Sequence, residues 1–272
     1  MKNDLNQIHA IETYGGRFFE RYLENAPISL ALIRAVECMQ LAQEEYIRPA
    51  LDFGSGEGLF TSILFKDSVD IGMDISHTEL KASKKKCKYN FLIAGSIDQT
   101  CFKNESFNTI LSNSVFEHLN DLDRTLQEIY RILKKDGVLI FTTYTAAFTD
   151  SLFYGNLLAN IGLTKMAELY SVKINQVFNH KKLLSLEDWT RLLDENGFQV
   201  LKAEKFLPDK TMKMFGLFLP FSLLNLLCKK FTSKWKLFST RILPRIAYFW
   251  LKSYFCDDTA DGCGLKFVVK KT

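Results

Sequence analysis

The sequence predicts an α/β fold built on a doubly wound, mostly parallel sheet, and three observations carry that expectation. Apolar runs of strand length recur between residues 49 and 143, stretches of helical period separate several of them, and a glycine-rich turn follows the first. Strands joined by crossover helices assemble a parallel sheet, because the right-handed crossover returns the chain to the same sheet end. With 272 residues, 47% apolar and 24% charged, the chain can bury one core with insertions. That composition also excludes wholesale disorder.

Taken in order, residues 1–48 read as helical and are expected to cap the sheet. Leu30, Ile33, Val36 and Leu41 fall near helical spacing within 29–42. Strand-like runs follow at 49–53, 69–74, 90–94, 109–113 and 137–143. Helices are expected over 78–88 and 121–134, the second from the stripe Leu122, Leu126, Ile129 and Leu133 with Gly137 as its stop. After a mixed segment, Ser185-Leu-Glu-Asp188 has the form of a capping box, opening a helix over 186–196 that Gly197 ends. Strands over 199–206 and 265–270 then flank an insertion at 207–261, as in a hairpin-like sheet edge. The expected organisation is therefore cap helices (1–48), a catalytic-sized domain (49–206 with 262–272) and a helical insertion (207–261).

Formal net charge is +4, too small to imply a nucleic-acid partner by itself. Its distribution is uneven. Residues 210–252 hold nine Lys or Arg and no Asp or Glu, so subtracting those nine from +4 leaves −5 on the rest. The same segment holds nine aromatics, from Phe215 to Trp250. The six cysteines form no CxxC pair and have no metal-ligand spacing with the four histidines, so free thiols in a reducing, cytoplasmic setting and no metal site are expected. Cys101 is expected to be an inert core thiol. Met1 to Gly16 is polar and lacks a signal peptide's apolar stretch. The longest nearly unbroken apolar run, 215–228, has 14 residues, below the roughly 18–20 that a spanning helix needs.

The chemistry begins at Ala50-Leu-Asp-Phe-Gly-Ser-Gly-Glu-Gly58. A buried strand runs into three glycines at spacing two, where the backbone turns tightly and the next helix presents its N–H groups. Asp74 lies 22 positions after Asp52, at the end of the next strand, where a carboxylate accepts the hydroxyls of a ribose. A dinucleotide fingerprint wants glycine at the third place of G-x-G-x-x-G, which here is Leu59. The nicotinamide reading is weakened accordingly.

Five motifs stand in order: Ala50–Gly58, Ile71-Gly-Met-Asp74, Ala94-Gly-Ser-Ile-Asp98, Phe107–Asn113 with Ser-Val-Phe-Glu-His-Leu119, and Ile129-Tyr-Arg-Ile-Leu-Lys-Lys-Asp-Gly137. Together they resemble the class I S-adenosylmethionine-dependent methyltransferases, in particular the small-molecule branch called type 11. The resemblance covers residues 45–206 and the last strand. It implies a Rossmann-like sheet of seven strands, the last antiparallel, and S-adenosylmethionine as cofactor. It also implies that Gly54, Ser55, Gly56 and Gly58 underlie the methionine part, with Asp52 beside its amino group. Asp74 would hold the ribose, Ile75 would pack on the adenine, and Ser96 and Ile97 would meet the adenine edge. Ser96 stands where many relatives carry Asp. Asn113 would lie against the methionine moiety through its backbone, and Tyr14 and Arg17 are candidates for the cofactor carboxylate.

A sulfonium methyl is already activated, so transfer depends on in-line placement of a nucleophile about 3 Å away. A hydroxyl acceptor calls for a general base, and His180 and His118 are the candidates. The Asn/Asp-Pro-Pro-aromatic motif of exocyclic-amine and glutamine-amide methylation is replaced by Asn113-Ser-Val-Phe116. For the insertion, basic flanks beside apolar, Trp-bearing stretches fit an interfacial helix on an anionic bilayer. An internal aromatic lid remains open, and so does a nucleic-acid groove, which suits dense Leu, Phe and Ile runs less well. The expected activity is methylation of a hydroxyl on a glycan or lipid-linked small molecule by a cytoplasmic, membrane-peripheral enzyme. A prenylated quinone or other lipophilic acceptor is the alternative, and a non-catalytic cofactor-binding scaffold the reading from another class.

Overall fold

The alternation of strand and helix seen in the sequence becomes a single seven-stranded sheet. The computed structural model describes residues 6–11, 15–232, 249–251, 254 and 262–272, and the side chains of all of these except 15–16 and 223–232. A short antiparallel pair, β1 (Gln7–Ile8) and β2 (Tyr46–Ile47), brackets α1 (Gly15–Asn25) and α2 (Ile28–Leu41). The wound region follows as β3 (Ala50–Phe53), α3 (Leu59–Leu64), β4 (Val69–Asp74), α4 (His77–Lys84), β5 (Tyr89–Ala94), β6 (Phe107–Asn113), α5 (Leu122–Ile132) and β7 (Leu133–Tyr144). The edge is completed by β8 (Phe198–Phe206) and β9 (Gly264–Lys271). Sheet order is β5-β4-β3-β6-β7-β9-β8, parallel except that β9 runs antiparallel to both of its neighbours.

Period-two alternation feeds a core on each face of the sheet. Leu111 and Ile140 turn toward α1, α2 and α3, while Ile110, Leu139 and Phe141 turn toward α5 and α9 (Leu186–Glu195). The capping box forms as its sequence implies: the Ser185 hydroxyl accepts from the Asp188 N–H at 3.1 Å. Helix α5 ends two residues early, because Leu133 pairs with Phe107 and starts β7 before the stretch Lys134–Gly137.

The mixed segment after β7 is helical: α6 (Ala147–Asp150), α7 (Phe153–Asn160) and α8 (Thr164–Phe178). Its apolar positions were hidden from a periodicity reading by three short helices with changing faces. Together with α2 and α10 (Asp209–Thr232) they form a third cluster around Phe148, Leu152, Ile174, Met212, Phe215 and Leu219, which roofs the sheet.

The start of the insertion packs inward, along the lid alternative that its composition left open: Met212, Phe215 and Leu219, at helical spacing, are buried against α2 and the roof. Burial of three large side chains at this spacing outweighs exposing them, at roughly 1.5–3 kcal/mol apiece. Residues 233–248, where much of the basic-aromatic segment falls, lie outside the described residues. Cys101 is exposed rather than in the core, whereas Cys38 and Cys263 are buried, and all of these are free thiols. Among the described residues no helix is long and apolar enough to cross a membrane.

Candidate functional site

The Gly-rich loop leaves β3 at the centre of the sheet, where neighbouring strands diverge and a cleft opens. Its backbone is pinned on one side by Met73, whose carbonyl accepts from the N–H groups of Gly54 (2.8 Å) and Ser55 (3.0 Å). On the other side the Asp74 carboxylate accepts from Gly56 N–H at 2.8 Å and from Ser76 N–H at 2.8 Å. Gly54, Gly56 and Gly58 all have positive φ, +74°, +53° and +71°. A Cβ at Gly54 would stand 2.4 Å from Val115 Cγ2, whereas one at Gly56 would meet nothing within 4 Å. Gly54 is required by the protein's own packing; Gly56 leaves space for something else.

That space is a cavity of about 410 Å³. Asp52, the Gly-rich loop and Asn113 lie on its sheet side, Arg34 and His118 add polar groups, and Leu30, Phe178, Phe215 and Leu219 come from the roof. Asp52 accepts on Oδ2 from Thr61 and Tyr89 hydroxyls, each at 2.5 Å, and burial pushes its pKa up to about 6. A cationic ammonium beside it would restore the carboxylate.

The most densely bonded group of the site is one that the sequence reading missed. Glu37, fully buried on α2, accepts from Arg34 (2.6 Å) and the Asn113 amide (3.0 Å) on Oε2. On Oε1 it accepts from the Ser114 hydroxyl (2.8 Å) and from Tyr144. Although burial acts to lower it, the Arg34 pKa is raised, with Glu37 the foremost of the groups raising it. The signal was present: Arg34 and Glu37 are the sole charges in Ile28-Ser-Leu-Ala-Leu-Ile-Arg-Ala-Val-Glu-Cys-Met-Gln-Leu41. They stand three apart, on one side of the helix.

The expected residues are placed unequally. Asp52, Gly54, Ser55, Gly56, Gly58, Asn113 and His118 line the cavity. Asp74 is one bond away through Gly56, and Ile75 beside it is 76% exposed, an apolar side chain held in water. Ser96 is exposed, while the Ile97 side chain is buried in the core, which leaves its backbone for any ligand. Arg17 is exposed and does not line the cavity; Arg34 does. Tyr14 lies outside the described residues. Asn113 has its side chain bonded to Glu37 and Thr142, so its backbone faces any ligand.

The two histidines separate as well. His118 Nδ1 lies 3.2 Å from the Asn179 carbonyl, which only accepts, so Nδ1 carries the proton and Nε2 is the free base. Burial lowers its pKa against that hydrogen bond, keeping the ring neutral. His180 does not line the cavity: it packs between Phe148, Phe178 and His118 and bonds Asn175 Oδ1 at 2.9 Å. Burial and then His118 push its pKa down to about 4.

Residues 51–141 match the family described as Methyltransferase domain, over the strands and loops that build the cavity floor. Residues 51–141 are a methyltransferase domain, and the sheet that carries them has the class I methyltransferase fold. The chain is 33% identical over 96 residues to a malonyl-[acyl-carrier protein] O-methyltransferase of Coxiella burnetii, covering 34% of this chain and 32% of that protein. It is 27% identical over 109 residues to a ubiquinone biosynthesis O-methyltransferase of Pelagibacter ubique, covering 38% and 45%. The chain thus spans less than half the length of these curated relatives. The crystal structure of a SAM-dependent methyltransferase from Thermotoga maritima superposes with a TM-score of 0.53 at 20% identity, over 94% of this chain and 93% of that one. The methyltransferase domain's cofactor is S-adenosylmethionine, and the residues fit it: an unfilled cradle at Gly56, a carboxylate at Asp52 and an exposed apolar side chain at Ile75.

Proposed function

We propose that this protein methylates an oxygen of a lipophilic small molecule, using S-adenosylmethionine as donor and His118 as general base. One observation carries the reading. A single cavity joins the glycine loop to an apolar roof, and His118 lines it with Nδ1 held toward the Asn179 carbonyl. Bound S-adenosylmethionine supplies a methyl group on a positively charged sulfur. Asp52 would take its ammonium, Arg34 its carboxylate and Asp74 its ribose hydroxyls. His118 Nε2 would take the proton of the acceptor hydroxyl as that oxygen receives the methyl group. Phe178, Phe215 and Leu219 exclude water and hold the acceptor body.

The apolar lining favours a lipid-linked or quinone-like acceptor over a free glycan, and the O-methyltransferase names of the matched relatives agree with an oxygen nucleophile. The test is transfer of label from methyl-labelled S-adenosylmethionine into fractionated cell extract. Label is expected in the organic phase. His118→Ala should cut kcat by about a hundredfold or more without weakening cofactor binding. In wild type, kcat/KM should rise with pH to a plateau whose midpoint lies below 6.5, in keeping with the lowered His118 pKa. Label in the aqueous glycan fraction would move the acceptor class. Cofactor binding with no transfer to any fraction would leave the scaffold reading.

A further inference from the structure

Away from the cavity, six of the large apolar side chains left in water lie on the α7–α8 hairpin. Leu157 on α7, Ile161 and Leu163 at the connection, and Met166, Leu169 and Val172 on α8 are 43–62% exposed. Helix α8 turns Tyr170, Ile174 and Phe178 into the roof cluster at spacings of four. Its outer face, where a soluble helix carries charge, therefore presents Met166, Leu169 and Val172. Isolated apolar residues on a surface are ordinary; a continuous set marks an interaction site.

Two observations say what the set faces. Val177, next to the roof-facing side of α8, is 54% exposed and also lines the cavity, so the exposed surface of the helix reaches the cavity. Helix α10 lies along α7, where the Tyr154 hydroxyl meets the Leu217 carbonyl at 3.5 Å, and one turn further Phe221 is 66% exposed. Beyond Asp209, the first residue of that helix, the sequence carries nine basic and no acidic residues through 252, while Lys165 and Lys173, with Glu168 between them, lie beside the stripe on α8. We infer that the α7–α8 face docks on an anionic lipid bilayer, lying in the interface with the cavity's Val177 side toward the lipid. Apolar side chains beside lysines match acyl chains beneath anionic headgroups. The sequence placed such contact on 210–252; of that segment Met212, Phe215 and Leu219 are buried while Phe221, Phe249 and Trp250 are exposed, and the α7–α8 face adds to it.

The inference deepens the proposed lipophilic acceptor, but its test does not depend on methyl transfer. The full chain is sedimented with phosphatidylcholine vesicles, with and without phosphatidylglycerol, at low and high salt. Binding to the anionic vesicles is expected, weaker on phosphatidylcholine alone and weaker in salt. The double variant Met166→Asp/Leu169→Asp should lose binding about tenfold or more, since each side chain forfeits partial burial in lipid. Its affinity for S-adenosylmethionine, read by calorimetry, should stay at the wild-type level. Should that variant fold poorly, Ile161→Ser/Val172→Ser repeats the comparison with milder changes. Wild type left in the supernatant with anionic vesicles, or a variant that binds them as wild type does, overturns the inference. A wild-type dimer that the variant converts to monomer, with vesicle binding unchanged, assigns the face to a second copy instead.

Discussion

Glu37 offers the sharpest perturbation of the site, because it is a fully buried carboxylate accepting from four donors. Glu37→Gln keeps the shape. The Gln carbonyl oxygen can take the place of Oε2, which Arg34 and Asn113 require, since both only donate there. The amide nitrogen then faces the Ser114 and Tyr144 hydroxyls, which can turn to accept. Hydrogen bonds are conserved and the charge is lost, leaving the Arg34 guanidinium, 25% exposed, without its counter-ion. Breaking a buried pair costs about 3–5 kcal/mol, and the opening of Arg34 to the cavity puts this case near 3 kcal/mol. Urea unfolding at pH 7 measures the loss. Calorimetry should also show S-adenosylmethionine binding weakened about tenfold, since a relaxed Arg34 no longer meets a carboxylate in a fixed fork. A stability change under about 1 kcal/mol together with unaltered cofactor affinity would refute the idea that Glu37 fixes the site.

Other outcomes follow from the same geometry. Burial pushes the Glu117 carboxyl to about 8, so the folded protein holds a proton that the unfolded chain releases above its ordinary 4.5. Its contribution is fully present below that unfolded value and is lost as pH rises through about 8, so Glu117→Gln should flatten the decline and gain on the order of 2 kcal/mol at pH 7. Gly54→Ala places a Cβ 2.4 Å from Val115 at φ +74° and should cost roughly 2–4 kcal/mol in thermal or urea unfolding. Gly56→Ala meets no atom within 4 Å and should cost only about 1 kcal/mol, while its methyl, projecting into the cavity, weakens cofactor binding disproportionately. Leu219→Ala, 4% exposed in the roof, should lose about 2–4 kcal/mol and let bulkier acceptor analogues in, read as a lowered KM for them.

Much of the floor was legible in the linear order of residues. A glycine at positive φ and a capping serine act within a few residues of themselves, and an acid at the end of the next strand reaches back to the loop of the strand before it. Gly54, Asp74 and Ser185 accordingly stand where their motifs put them. Short apolar runs also told the central strands from the helices, because a strand buried on both faces is apolar along its length.

The roof and the charges beneath it needed the tertiary structure. Arg34 and Glu37 look like two stray charges on an apolar helix until Asn113, Ser114 and Tyr144 arrive from strands some eighty to a hundred residues away. His118 and His180 were equal candidates by residue type, and packing alone set one against the cavity and the other behind it. The basic-aromatic stretch shows the same division. Its composition fixed that it seeks an apolar surface, but the hydrophobic effect has no direction, so composition could not choose between lipid and the protein's own roof. Spacing at 212, 215 and 219 against α2 chose the roof, and the outer face of α8 was left in the water.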